Sequence, residues 1–167
     1  MPSDALNTGN ASGGSGEWLG LLGWVGLTFL APAAGATSLP DAWYAGLVKP
    51  AWNPPGWVFG PVWTVLYLLM AVAAWMIWRR GGWKIQGAAL RIYGIQLGLN
   101  AAWSPLFFRF HQPLAAFADI VLLWIAICLT LRAFAKAHKP AAILLIPYLL
   151  WVSFAAALNW TLVLLNR

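Results

Sequence analysis

The side chains able to move protons, ligate metals or attack a carbonyl are few in this chain, and they do not assemble. His111 and His138 fall in polar breaks separated by a long apolar run, and Cys128 is the only cysteine. No C-x-x-C or C-x-x-C-H pair exists, so no metal site is expected and no cofactor is called for. Asp119 is the one carboxylate inside an apolar run, with no second acid beside it for paired acid and base work, and no G-x-S-x-G elbow occurs. Cys128 reads as a small apolar residue.

Aromatic surface is what the sequence has in quantity: 13 Trp, 8 Phe and 4 Tyr among 167 residues. Helical spacing collects part of it with a few amides. Asn100, Trp103 and Phe107 follow i, i+3, i+7, Trp151, Ala155 and Asn159 follow i, i+4, i+8, and Trp63 and Tyr67 lie one turn apart. Indole and phenyl faces stack on flat apolar surfaces, and a small number of amides would orient what they enclose, so the set suits a pocket for a flat, greasy ligand. It also suits plain helix packing, in which Asn100, Asp119 and Asn159 hydrogen-bond between helices for about 0.6 to 2 kcal/mol each. Residue types alone leave both readings open.

The elements that must position these residues follow from composition. The chain is 62% hydrophobic and 8% charged, where a soluble domain carries roughly 25% charged residues to wet its surface. A net charge of +6 could suggest nucleic acid, but the Lys and Arg residues sit in short clusters between apolar runs, the pattern of membrane orientation, so nucleic-acid binding is not expected. Residues 1–16, rich in Ser, Gly and Asn, read as a disordered tail. Residues 18–36 end in Ala34-Gly35-Ala36, which invites comparison with a secretory signal, yet Asp4 and Glu17 precede them without any Lys or Arg, so a first transmembrane helix is the better reading.

A spanning helix needs about 20 mostly apolar residues because every backbone amide must be satisfied where water is absent. Five segments meet this, about 18–36, 57–78, 87–108, 114–135 and 141–165, predicting an all-α membrane bundle in one domain, residues 17–167. Five spans put the termini on opposite sides. Arg79, Arg80, Lys84, Arg91, Arg132, Lys136 and Lys139 then share the N-terminal side, against Lys49, Arg109 and Arg167 on the other. The positive-inside rule makes the N-terminus cytoplasmic and the loop 37–56 external.

At 1.5 Å per residue Asn100, Asp119, Asn159 and Trp63 all lie about 8 to 12 Å from the external end of their helices, which places them in one layer. Intramembrane polar groups are costly and point to function. Trp18, Trp57, Trp78 and Trp83 sit near helix ends, as interfacial belts do, but Trp63 and Trp151 are too deep for a belt. The loop 37–56 holds Pro50, Pro54 and Pro55 with Trp52, so a stiff lid over the pocket and an interfacial loop are both consistent with it.

These residues resemble the translocator proteins, also called tryptophan-rich sensory proteins or peripheral-type benzodiazepine receptors (TspO/MBR), and the chain looks like a bacterial-type member. The resemblance rests on Trp43-Tyr44, Leu47, Lys49-Pro50, Trp52, Pro54-Pro55, Phe59, Trp63 and Tyr67, on Asn100, Trp103, Ser104 and Phe107-Phe108, and on Pro147-Tyr148, Trp151, Phe154-Ala155 and Leu158-Asn159. It implies a five-helix bundle whose pocket, capped by the first loop, takes porphyrins such as protoporphyrin IX and benzodiazepine-site molecules. The implied lining is Tyr44, Pro54, Phe59, Trp63, Tyr67, Asn100, Trp103, Trp151 and Ala155, to which depth adds Asp119 and Asn159. Some bacterial relatives are associated with light- and oxygen-dependent porphyrin breakdown, in which positions matching Trp63 and Trp151 matter.

A membrane receptor, sensor or carrier for tetrapyrroles is therefore the expected function, most simply in the bacterial inner membrane, with the outer membrane as the alternative. The alternatives are oxidative porphyrin breakdown through Trp63 and Trp151, and a sterol- or lipid-binding transporter. The animal members' sterol pattern at the end of the fifth helix is absent, since no Lys or Arg follows Tyr148 within five residues. Looser matches occur at Leu39, Tyr44 and Lys49, and in reverse at Arg91, Tyr93 and Leu97. Gly94 and Gly98 form a GxxxG that serves either a homodimer, as in bacterial relatives, or close packing within one chain.

Overall fold

The computed structural model describes residues 13–167, with side chains from residue 16 onward. Every regular element among them is helical: α1 Gly13–Gly35, α2 Ala42–Gly46, α3 Gly56–Trp78, α4 Gly82–Ser104 running into a π-helical turn Pro105–Arg109, α5 Pro113–Ala137, α6 Lys139–Ile143 and α7 Ile146–Leu165. Of the tail expected over residues 1–16, residues 1–12 lie outside the described residues, and the rest begin α1. Four stretches are long and apolar enough to cross a membrane: Gly16–Gly35, Gly56–Trp78, Pro113–Ala137 and Lys139–Leu165, the last joining α6 to α7. Helix α4 matches α3 at 23 residues but carries Lys84, Gln86, Arg91, Gln96 and Asn100, which lower its mean hydropathy.

The departures from the expected boundaries have local causes. Gly81 and Gly82 both take positive φ (122° and 59°), which closes the turn after α3 so tightly that α4 starts at Gly82 rather than near residue 87. Pro105 lacks an N–H, so α4 cannot continue its ladder. The chain widens into a π turn in which the Phe110 N–H donates to the Pro105 carbonyl (3.0 Å). The last segment pauses at Leu144 and Leu145 just ahead of Pro147, and the Leu145 N–H donates back to the Ala142 carbonyl (3.0 Å). Within the loop 37–56, Asp41 caps the short α2 by accepting from the Tyr44 N–H (3.1 Å).

The long helices form a ring in the order α1, α3, α6–α7, α5, α4, and α4 also touches α3 across the middle. The ring is tight at one end and loose at the other, for reasons visible in α3. Its C-terminal half presents Ala71, Ala73 and Ala74, all fully buried, and these small side chains let neighbours come close around Tyr93, Phe134, Ala141 and Tyr148. Its N-terminal half presents Phe59 and Trp63, and α3 as a whole meets the long α7 less than it meets the short α6. The two helices therefore part toward the end covered by residues 36–55. We call this the lid end, and the opposite end, with Arg79, Arg80, Lys136 and Lys139, the basic end.

Trp18, Trp57 and Trp83 are exposed at helix ends, whereas Trp78 is partly buried and its ring lies where a Cβ on Gly20 would fall. The Gly81 turn is the tightest backbone constraint: a Cβ there would lie within 2.9 Å of three Ile85 side-chain carbons. Gly81→Ala is expected to cost about 1 to 2 kcal/mol and to lower the thermal midpoint in detergent. Gly26→Ala, in mid-helix and with nothing within 4 Å of the added Cβ, should not lower it and should raise it slightly.

Candidate functional site

At the lid end the diverging helices enclose a cavity of about 400 Å³ with an almost wholly apolar wall, a size that suits a small organic molecule. Helix α3 supplies Phe59, Trp63 and Tyr67, α4 and its π turn Asn100, Trp103 and Phe107, and α7 Trp151, Ala155 and Asn159. Tyr44 closes it from α2. The π turn keeps Phe107 on the cavity side, stacked on Trp103 at 5.3 Å between ring centroids. Trp63 stacks on Tyr67 (5.3 Å, 26° between planes) and meets Tyr148 edge-on, while Trp151 packs edge-to-face with Phe59 (5.8 Å). The exposed Ala36, Gly56 and Gly60 also line the cavity, so its wall is thin toward the outside where these small residues of the α1 and α3 ends stand.

Two residues named from the sequence lie outside the wall. Asp119 is buried, but α5 turns Ile120 and Leu123 to the cavity instead, and the Asp119 Oδ2 has no partner. Pro54 is half-buried, its carbonyl accepting from Asn53 Nδ2 (3.1 Å), and Gly56 and Phe59 provide the wall on that side. Conversely, Ala31, Gly35 and Ser38 of α1 and the following residues line the cavity, although sequence reasoning passed over them. Their signal was the small pair Ala31 and Gly35 at i, i+4, which faces α4 closely enough that a Cβ on Gly35 would lie 3.2 Å from that of Ser104.

The amides in the wall are occupied by the fold. Asn100 Oδ1 accepts from the Tyr67 hydroxyl (2.6 Å) and Asn100 Nδ2 donates to the Tyr148 hydroxyl (3.1 Å), so one side chain of α4 ties α3 to α7. Asn159 Oδ1 accepts from Trp103 Nε1 (3.1 Å) and its Nδ2 donates to the Pro113 carbonyl (2.8 Å), tying α7 to α4 and to the start of α5. Trp151 Nε1 is different: it is buried and has no partner. Among the described residues, no three His, Cys, Asp or Glu side chains gather as a metal site would require.

The lid is fastened at several points. Asp41 also bonds His111 Nε2 (3.0 Å), whose ring stacks on Trp43 at 4.4 Å, and Ser104 Oγ donates to the Ser38 carbonyl (3.2 Å). The Tyr44 N–H, and to a lesser degree His111, hold the Asp41 carboxyl below its ordinary value of 3.8, against a smaller opposing effect of burial. Asn166, beyond α7, pairs with both backbone groups of Val48 (2.9 and 3.0 Å).

The sequence profile of the TspO/MBR family matches residues 20–165. The chain belongs to the TspO/MBR family. It is 48% identical over 147 residues to the tryptophan-rich protein TspO of Chlorobaculum tepidum, covering 85% of this chain and 92% of the relative. It is 41% identical over 145 residues to the tryptophan-rich sensory protein of Cereibacter sphaeroides (84% and 90% covered) and 42% identical over 120 residues to the human translocator protein (71% and 71%). With its apolar helices, this TspO/MBR member is an integral membrane protein.

In this family member the loose sterol pattern at Leu39, Tyr44 and Lys49 has lost its free cation. Lys49 Nζ donates to the carbonyls of Tyr44 (2.6 Å), Ala45 (3.2 Å) and Leu47 (3.2 Å), which caps α2, and it lies over the Tyr44 ring. The Asn100 bridge generates the expectation for this site. In a double-mutant cycle, Tyr67→Phe and Asn100→Ala should couple by about 0.6 to 2 kcal/mol in thermal or denaturant stability, because removing either partner strands the other in apolar surroundings. Strict additivity of the two losses would mean the bridge does not hold the helices.

Proposed function

We propose that this protein is a membrane receptor, sensor or carrier that binds tetrapyrroles, with protoporphyrin IX as the representative ligand, in the aromatic cavity beneath the lid. Benzodiazepine-site molecules would compete for the same space. The observation that carries the reading is the cavity itself: aromatic faces from three long helices and α2 surround one apolar volume. Stacked aromatic contacts contribute about 0.5 to 1.5 kcal/mol each beyond area burial, and several around one ring reach micromolar affinity. The unpartnered Trp151 N–H offers a donor to a ligand carbonyl or carboxylate. The thin wall at Gly56 and Gly60 gives a macrocycle room to protrude toward lipid.

In this reading α4 is the fifth span. Its Lys84 and Arg91 lie toward the basic end, where long cationic side chains reach the interface, and Gln96 and Asn100 are buried among helices rather than turned to lipid. Five crossings put the basic end and the N-terminus in the cytoplasm and the lid outside, most simply in a bacterial inner membrane. Gly94 and Gly98 are exposed, with open space where a Cβ would point, a surface on which a second copy could pack closely.

Titration with protoporphyrin IX in detergent should quench tryptophan fluorescence saturably, with a dissociation constant of about 1 to 100 micromolar. Replacing Trp63 and Trp151 together by Phe, which keeps the wall apolar, should weaken binding about tenfold, equivalent to about 1.4 kcal/mol. Quenching that never saturates, or an affinity untouched in a well-folded double variant, would remove this reading.

A further inference from the structure

The basic end holds a second cleft, of about 280 Å³, lined by Met76, Arg79 and Arg80 at the end of α3 and by His138 between α5 and α6. Its wall is cationic, unlike that of the aromatic cavity, and the charges in it are unequally employed. Arg79 pairs with Glu17 and lies over the Trp75 ring, 4.7 Å from its centroid. Arg80 has no carboxylate within ion-pair distance among the described residues. Burial, and after it the Arg80 charge, hold the His138 imidazole below its ordinary value. Two nitrogen-bearing groups thus share a cleft without a countercharge.

The described acids cannot supply one. Glu17 is engaged by Arg79, Asp41 belongs to the lid, and Asp119 is buried in the half of α5 nearer the lid. Lys136 and Lys139 flank His138 and are exposed. Five and eight residues after His138, Ile143 on α6 and Ile146 at the start of α7 are 59% and 42% exposed, so the helices that lead away from the cleft carry bare aliphatic side chains. A cationic notch at a helix-bundle end with bare aliphatic side chains on the helices leading from it matches a molecule that is anionic at its head and greasy behind it.

We propose that this cleft binds the phosphate of an anionic phospholipid from the leaflet at the basic end, with Arg80 and His138 donating to phosphate oxygens and an acyl chain lying along Ile143 and Ile146. Arg79 stays with Glu17 and closes the far side. A soluble phosphate would use the same nitrogens but would gain nothing from the isoleucines. The lipid is distinct from the ligand of the aromatic cavity, which opens at the other end of the bundle.

The test is lipid retention by full-length protein in mild detergent, read by native mass spectrometry and by thermal midpoint. The probes are phosphatidylglycerol, phosphatidylcholine and glycerol 3-phosphate. Phosphatidylglycerol should be retained and should raise the midpoint, and neither phosphatidylcholine nor glycerol 3-phosphate at the same concentration should do so. Arg80→Gln should cut retention about fivefold, the worth of one basic side chain at an anionic surface, with Arg80→Lys intermediate, and His138→Ala, which removes an uncharged N–H donor, should cut it by less. Arg91→Gln, an equal charge loss outside the cleft, should leave retention intact. Equal loss in Arg91→Gln would mean diffuse charge attraction, equal stabilisation by glycerol 3-phosphate would mean a soluble-anion site, and full retention by Arg80→Gln would mean no site; each overturns the proposal.

Discussion

An amide placed among apolar helices has to be satisfied by its neighbours, and Asn100 meets that demand by bonding two tyrosine hydroxyls from two other helices. The rest of the lid end is arranged around this bridge. It fixes how far α3 and α7 stand apart, because Tyr67 and Tyr148 must both reach one side chain on α4. Trp63, stacked on Tyr67 and edge-on to Tyr148, is held in place by the same pair. Asn159 repeats the device nearer the lid with Trp103 and the Pro113 carbonyl. Between them the two asparagines hold a wall open that hydrophobic collapse alone would tend to fill, while the alanines of α3 close the other half of the bundle.

The lid obeys the same logic at the water boundary. Its prolines restrict the backbone, but its position is set by polar contacts to three separate elements: His111 beyond the π turn, Ser104 at the end of α4, and Asn166 beyond α7. Lys49 spends its charge on carbonyls within the lid itself. The cover is thus a built part of the cavity, fastened at its rim to the helices that the two asparagines align.

Much of this was legible in the sequence, because helical periodicity places side chains on faces without knowledge of the partners. The sets Asn100, Trp103, Phe107 and Trp151, Ala155, Asn159 line one cavity for that reason. Depth, by contrast, says nothing about azimuth: Asp119 is buried, yet its neighbour Ile120 is the residue in the wall. Spacing could not say whether Asn100 and Asn159 serve a ligand or the helices, since that depends on tyrosine and indole groups 33 to 56 residues away in sequence. The contribution of α1 was hidden because small residues carry no chemical signature until a neighbour is known. The helix boundaries slipped where backbone rather than side chains decides, at the Gly81 turn and ahead of Pro105 and Pro147.

The most direct measurement is a structure of the protein bound to protoporphyrin IX in a lipid environment. The account predicts the macrocycle beneath the lid, in contact with Trp63 and Trp151, with Asn100 still bridging Tyr67 and Tyr148. A porphyrin seated on the outer surface of the bundle, or one bound only after the Asn100 bridge has broken and the cavity has been rebuilt, would contradict it.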